Sequence, residues 1–175
     1  MPPAKLSRNI SFGMGHLSLA MTDPLPDYRE RLLDRLETVV RDIADAVAAI
    51  PEDRWPEPIH AGARSPHTIV AHLRDVERHA YLNRLQRLIA EESPAFDSFD
   101  PANWESDYHD PAESMTHLLS DYASLRETEL QILRGLSPAG WARAGRHTTL
   151  GVRTVQWWAE RMLDNAEDRL RELRG

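Results

Sequence analysis

The chain has no cysteine. That excludes a disulfide framework, a thiolate metal ligand and a cysteine nucleophile. It fits a reducing compartment, and a cytoplasmic location is expected. No apolar run approaches the ~18–20 residues that span a bilayer, so no membrane partner is expected. Positive charge is in deficit. The 21 Lys and Arg stand against 28 Asp and Glu, giving a formal net charge of −7 and a pI near 5.6. A general nucleic-acid surface needs a basic patch, so no nucleic-acid partner is expected either. Convincing period-two alternation is missing, as are internal repeats and low-complexity tracts. No Ser-His-Asp order, Gly-rich phosphate loop or paired-carboxylate motif stands out.

What is present is helical. A chain of 175 residues is most simply one domain with a real core. Residues 1–21 lack apolar periodicity and a cleavage motif. They read as a disordered N-terminal extension, with Met21 as a natural start and residues 22–175 as the folded domain. Leu32, Leu36, Val39, Ile43, Val47 and Ile50 recur at spacings of three and four, the mark of one helix face from about Asp27 to Ile50. Ser65-Pro66 is a helix start, and the second helix runs to about Glu92. Asp110-Pro111-Ala112-Glu113 reads as the start of a third helix, which Gly135 ends. A short turn is expected at Ser137-Pro138, and a fourth long helix from about Thr154 to Arg174. Matching helix lengths predict an all-α four-helix bundle. The long connector from Ser93 to His109 carries Phe96, Phe99, Trp104 and Tyr108, and should cover one end of the bundle or cross it.

Two helices turn polar groups inward. His72, Val76, His79 and Asn83 share one face of the second helix at ideal helical spacing. Val155, Trp158, Met162, Asn165, Arg169 and Glu172 share one face of the fourth, apolar in its first half and polar in its second. Burying such groups without partners costs about 1–3 kcal/mol each. Either they satisfy one another or the bundle opens into a pocket there.

The chain resembles the DinB/YfiT-like superfamily of bacterial four-helix proteins. The resemblance rests on Trp55, the stretch Ala71 to Arg78 around His72, the Leu136-to-Trp141 turn, His147-Thr-Thr-Leu-Gly151 and the terminal helix. It covers most of the chain, and the order and spacing of the motifs agree. It implies an up-down-down-up bundle, often a homodimer and associated with stress or DNA damage. It also implies a divalent metal, Zn or Ni, held by one histidine of the second helix and a His-x-x-x-His pair of the fourth. Members include thiol S-transferases and presumed metal-dependent hydrolases. Carried onto this chain, the first ligand falls on His72, but the pair falls on Asn165 and Arg169. Asn165 is a weak oxygen ligand, and a guanidinium cannot ligate a cation at all.

Two readings follow. In the first, Arg169 replaces the metal's charge, paired with Glu77 or Glu129, while Asn165 hydrogen-bonds His72. The site is then a structural plug or a pocket for a small anion, with His72, Asn165, Arg169 and Trp158 as its binding residues. No cofactor is expected. In the second, the fourth helix is rotated by one position, and Asp164 and Asp168 join His72 around a metal. His147 is expected to order the loop before the last helix, His67 to lie on the surface, and His79 to be packed or half-exposed. The function expected is that of a DinB-like protein of undetermined activity with a small-molecule pocket. A metal-dependent hydrolase or thiol transferase and a non-catalytic dimeric protein are the alternatives.

Overall fold

A computed structural model describes residues 24–99, 103–104 and 109–175 of the chain. The expected extension over 1–21, and Tyr108 of the connector, lie outside the described residues. Helix α1 spans Leu25–Ala48 and buries Leu32, Leu36, Val39, Ile43 and Val47, the stripe its spacing predicts. Each such side chain contributes roughly 1.5–3 kcal/mol when taken fully out of water. Helix α2, Pro66–Val76, is capped by Ser65, whose hydroxyl accepts the Thr68 N–H. It runs through a π-helical segment, Glu77–Tyr81, into α3, Leu82–Ala90. Helix α4 covers Met115–Arg134, the short α5 covers Pro138–Trp141, and α6 covers Val155–Arg174 with Thr154 as its cap.

Pairs between helix ends fix the topology. His67 and Arg74 of α2 meet Glu113 just before α4, so those two helices start at the same end of the bundle. Arg64, just before α2, meets Glu172 near the end of α6. Tyr28 of α1 meets Glu160 early in α6, so these two run together and opposite to α2 and α4. The order is up-down-down-up, so α3 ends at the opposite end of the bundle from the start of α4.

Three expectations are corrected. Helix α4 starts one turn later than Asp110, at a Ser114 cap that accepts the His117 N–H. Asp110 instead closes a local turn, its Oδ1 accepting from the Ala112 N–H and its carbonyl from the Glu113 N–H. A small sheet is present. Strand β1 (Ala95–Phe96) pairs parallel with β2 (Ala144–His147), which pairs antiparallel with β3 (Gly151–Thr154). These strands are too short for alternation to be visible. His67, expected at the surface, is buried between His109 and the Glu113 carbonyl.

The π segment matters most for the site. Its wider turn shifts the phase of everything after Glu77. His79 and Asn83, read as sharing the face of His72, are exposed, whereas Tyr81 and Arg84 turn inward.

Candidate functional site

A cavity of about 250 Å³ opens on the flank between α2–α3 and α6, roofed by the connector and the β2–β3 turn. His72 and Val76 come from α2, Tyr81 from the π segment and Arg84 from α3. Phe99 follows β1, His147 ends β2, and Trp158 and Asn165 project from α6. Three of the four predicted binding residues, His72, Asn165 and Trp158, therefore meet here. Arg169 is not among the lining residues.

Two other guanidinium groups line the cavity, the exposed Arg161 and the buried Arg84. Arg84 is only 7% exposed. Its guanidinium lies 4.5 Å from the centre of the Trp158 ring, and Nη2 donates to the Asp97 carbonyl at 2.9 Å. Among the described residues no carboxylate pairs with it, and no Asp or Glu lines the cavity. Burial pushes its pKa down, as desolvation of an unpaired cation must. Nothing in the α2 pattern pointed to Arg84. It is reached only by allowing for the extra residue in the π turn.

His147 faces Arg84 with Nε2 3.4 Å from Nη2. Its Nδ1 accepts the backbone N–H groups of Thr149 and Leu150 at 3.2 and 3.3 Å. It thus orders the turn, as expected. A neutral ring whose Nδ1 accepts must carry its proton on Nε2. Burial and the nearby guanidinium both lower its pKa and keep it neutral. Arg84 Nη2 and His147 Nε2 are then two donors, one charged, 3.4 Å apart. Trp158 Nε1 and Asn165 Nδ2 are also buried donors without a partner among the described residues.

His72 is 8% exposed, packed edge-on against Trp104 and Phe99 with ring centres 5.0 and 6.1 Å away. Burial first, and Arg64 second, lower its pKa to about 4. The ring is a neutral base at ordinary pH. Trp104 is itself anchored, donating from Nε1 to Asp75 at 2.9 Å.

Arg169 does not reach Glu77 or Glu129. It pairs with Glu172 at 2.7 Å, on the carboxylate that also takes Arg64. Glu77 and Glu129 belong instead to Arg126, buried in the centre of the bundle. No hydrogen bond between Asn165 and His72 is found among the described residues. The rotated alternative is also poorly placed: Trp158 and Met162 face the core, Asp164 is exposed, and Asp168 pairs with Arg171. The family's three-histidine metal does not fit a neutral imidazole, an amide and an ion-paired guanidinium.

A different cluster has metal-ligand spacing. Glu113, His117 and Asp121 bring one ligand atom each to within 4.8 Å of the others. Sequence reading missed this cluster, because it looked for the stripe on the polar inner faces. The carboxylates are already neutralised. Arg74 forks onto both oxygens of Glu113 at 2.8 Å, and Arg78 holds Asp121 at 2.6 Å.

No curated protein matches the chain. Among solved structures it is similar to YfiT from Bacillus subtilis, described as a probable metal-dependent hydrolase with an unusual four-helix bundle topology. The two share 19% identity at a TM-score of 0.74, over 98% of this chain and 90% of that one. At that identity the likeness carries the fold alone. Together with the arrangement of α1, α2–α3, α4 and α6, the family model that matches residues 30–173 shows that the chain belongs to the DinB superfamily.

Proposed function

We propose that this protein binds a small organic anion, such as a carboxylate or a phosphate ester, in the cavity between α2–α3 and α6. Arg84 supplies the charge. His147 Nε2–H adds a neutral donor, and the Trp158 face and Phe99 form an apolar wall. The observation that carries this reading is a buried guanidinium with no carboxylate partner, lining a cavity without an acidic group. An uncompensated buried charge costs several kcal/mol. An anion arriving from solvent offsets that cost and takes charge-assisted, planar hydrogen bonds from the fork. His72, neutral and within the same cavity, serves as a proton acceptor for a ligand that carries one.

The test is calorimetric titration with benzoate and with inorganic phosphate, on wild-type protein and on Arg84→Met. Saturable binding that Arg84→Met abolishes and Arg169→Met keeps is the expected result. Heats that are absent, or unchanged in Arg84→Met, would overturn the reading.

A second reading is a metal-dependent hydrolase or thiol transferase. The Glu113–His117–Asp121 cluster and the description of YfiT favour it. Here a divalent ion would have to displace Arg74 and Arg78 from their carboxylates. Metal analysis of protein purified without chelator decides it: one tightly held divalent ion per chain, lost in His117→Ala, is the result that would promote this reading over the first.

A further inference from the structure

Glu77, Tyr122, Arg126 and Glu129 form a polar cluster at the centre of the bundle, apart from the cavity on its flank. Glu77 begins the π segment, and the other three lie on α4. Glu77 and Glu129 are 0% exposed and Arg126 is 1% exposed. Arg126 donates from Nη2 to Glu77, and its Nε lies 3.3 Å from Glu129. Two carboxyl groups therefore share one guanidinium in an interior closed to water.

We propose that the bundle core holds one buried proton at neutral pH, shared between the carboxyl groups of Glu77 and Glu129 and clamped in place by Arg126. Two buried carboxyl groups pair with a single guanidinium, so one negative charge is left over. With both groups ionised the cluster would carry one uncompensated negative charge where water cannot reach, whereas with one proton it is neutral. Several atoms confirm that other partners are lacking. Glu77 Oε2, both Glu129 oxygens and Arg126 Nη1 have no hydrogen-bond partner among the described residues.

Among the described residues, Arg126 is the cation that pairs with Glu77 and Glu129. Tyr81, from the π segment, and Tyr122 both lie near Glu77, and burial keeps their hydroxyls protonated. Glu37 and Arg41 of α1 line a shallow hollow on the outer side of Arg126 together with Glu127, so that side carries no excess positive charge. Arg84 and Arg161 reach Tyr81 but make no ion pair with Glu77 or Glu129 among the described residues. Burial raises the Glu129 pKa well above the carboxylate range, the Glu77 charge pushes the same way, and Arg126 opposes both.

The consequence is a pH-sensitive core. The folded state binds a proton that the unfolded chain releases in the ordinary carboxylate range. The contribution of this cluster to stability is then full at low pH and falls as pH rises toward the folded pKa, multiplying the unfolding constant about tenfold per pH unit. The test compares urea unfolding of wild type and Glu129→Gln from pH 5 to pH 8, together with the infrared spectrum of wild type at pH 7. Glu129→Gln removes one of the two carboxyl groups and leaves Glu77 paired one to one with Arg126. The expected result is a wild-type unfolding constant that rises about 100-fold relative to Glu129→Gln between pH 5 and pH 7. The spectrum should show a carboxylic-acid carbonyl band that shifts in D₂O. Parallel profiles, or no such band in wild type, would overturn the proposal. If Glu129→Gln fails to fold, the wild-type band decides alone.

Discussion

Replacing Arg84 by methionine separates the cost of the site from its use. The methionine keeps most of the buried stem of the arginine and removes its charge. Without ligand the losses are the stacking on Trp158, about 0.5–2 kcal/mol, and the hydrogen bond to the Asp97 carbonyl, about 1.5–3 kcal/mol. Against them stands the desolvation of an unpaired guanidinium, several kcal/mol. The terms nearly cancel, so Arg84→Met should fold with a stability within about 2 kcal/mol of wild type. The liganded comparison is different. An anion present at 100 times its dissociation constant stabilises the native state by about 2.7 kcal/mol. For a domain of this size that is roughly 5–10 °C in Tm. Thermal unfolding with and without benzoate or phosphate should show this shift in wild type and none in Arg84→Met. A variant that keeps the whole shift would refute the assignment of charge to Arg84. A variant strongly destabilised without ligand would refute the claim that the guanidinium is uncompensated.

Four smaller predictions follow from single contacts. Thr154→Ala removes the cap that accepts the Trp157 N–H at 3.2 Å, and chemical denaturation should register a loss of about 1 kcal/mol. Trp104→Phe leaves buried Asp75 without its 2.9 Å donor, which should cost about 1–3 kcal/mol in the same assay. In Gly145→Ala the new methyl would lie 2.4 Å from the Phe96 ring and 2.8 Å from the Pro94 carbonyl, so a loss of about 1–3 kcal/mol is expected, with β1 displaced from β2 in hydrogen exchange. The last concerns pH: His72, lowered from 6.5 to about 4, binds fewer protons folded than unfolded. Its contribution is complete above pH 6.5 and is lost as pH falls toward 4, by about 3 kcal/mol in all. Unfolding of His72→Gln should lack that part of the acid slope.

The long helices were legible because each buries a stripe that repeats at helical spacing. Leu32, Leu36, Val39, Ile43 and Val47 are all in the core, and Trp158 and Met162 fix the inner face of α6 as their spacing implies. The departure at Asn165 and Arg169 was legible for the same reason. Once the inner face is known, a ligand position holding a guanidinium is visible in the letters. The sheet was not legible, because strands of two and four residues give alternation no room. The start of α4 was misjudged because Asp110 and Ser114 both carry capping oxygens, and Asp110 uses its own in a turn. On α4 the inner face runs through Met115, Leu118, Tyr122, Arg126, Glu129, Leu130 and Leu133, so two charged residues share a buried stripe with apolar ones.

The π segment explains why Arg84, and not His79 or Asn83, lines the cavity with His72. Extrapolating a regular helix from His72 leads to His79 and Asn83, which face solvent. One wider turn brings Tyr81 and Arg84 inward and makes Arg84 a neighbour of Trp158 and His147. A sequence stripe cannot show this, because a π turn conserves composition and changes only phase. The electrostatic outcome is a reversal of sign. Three imidazoles would offer lone pairs to a cation. Here one imidazole remains, its helix-α6 partners are an amide and an arginine already paired with Glu172, and the groups that gather around the same cavity are donors. A cation entering would meet Arg84, which has no carboxylate ion-pair partner among the described residues. An anion would meet N–H groups on two sides and an aromatic floor. The selectivity expected of the cavity therefore follows from where one extra residue in a helical turn puts the guanidinium of Arg84, which joins Arg161 in lining it.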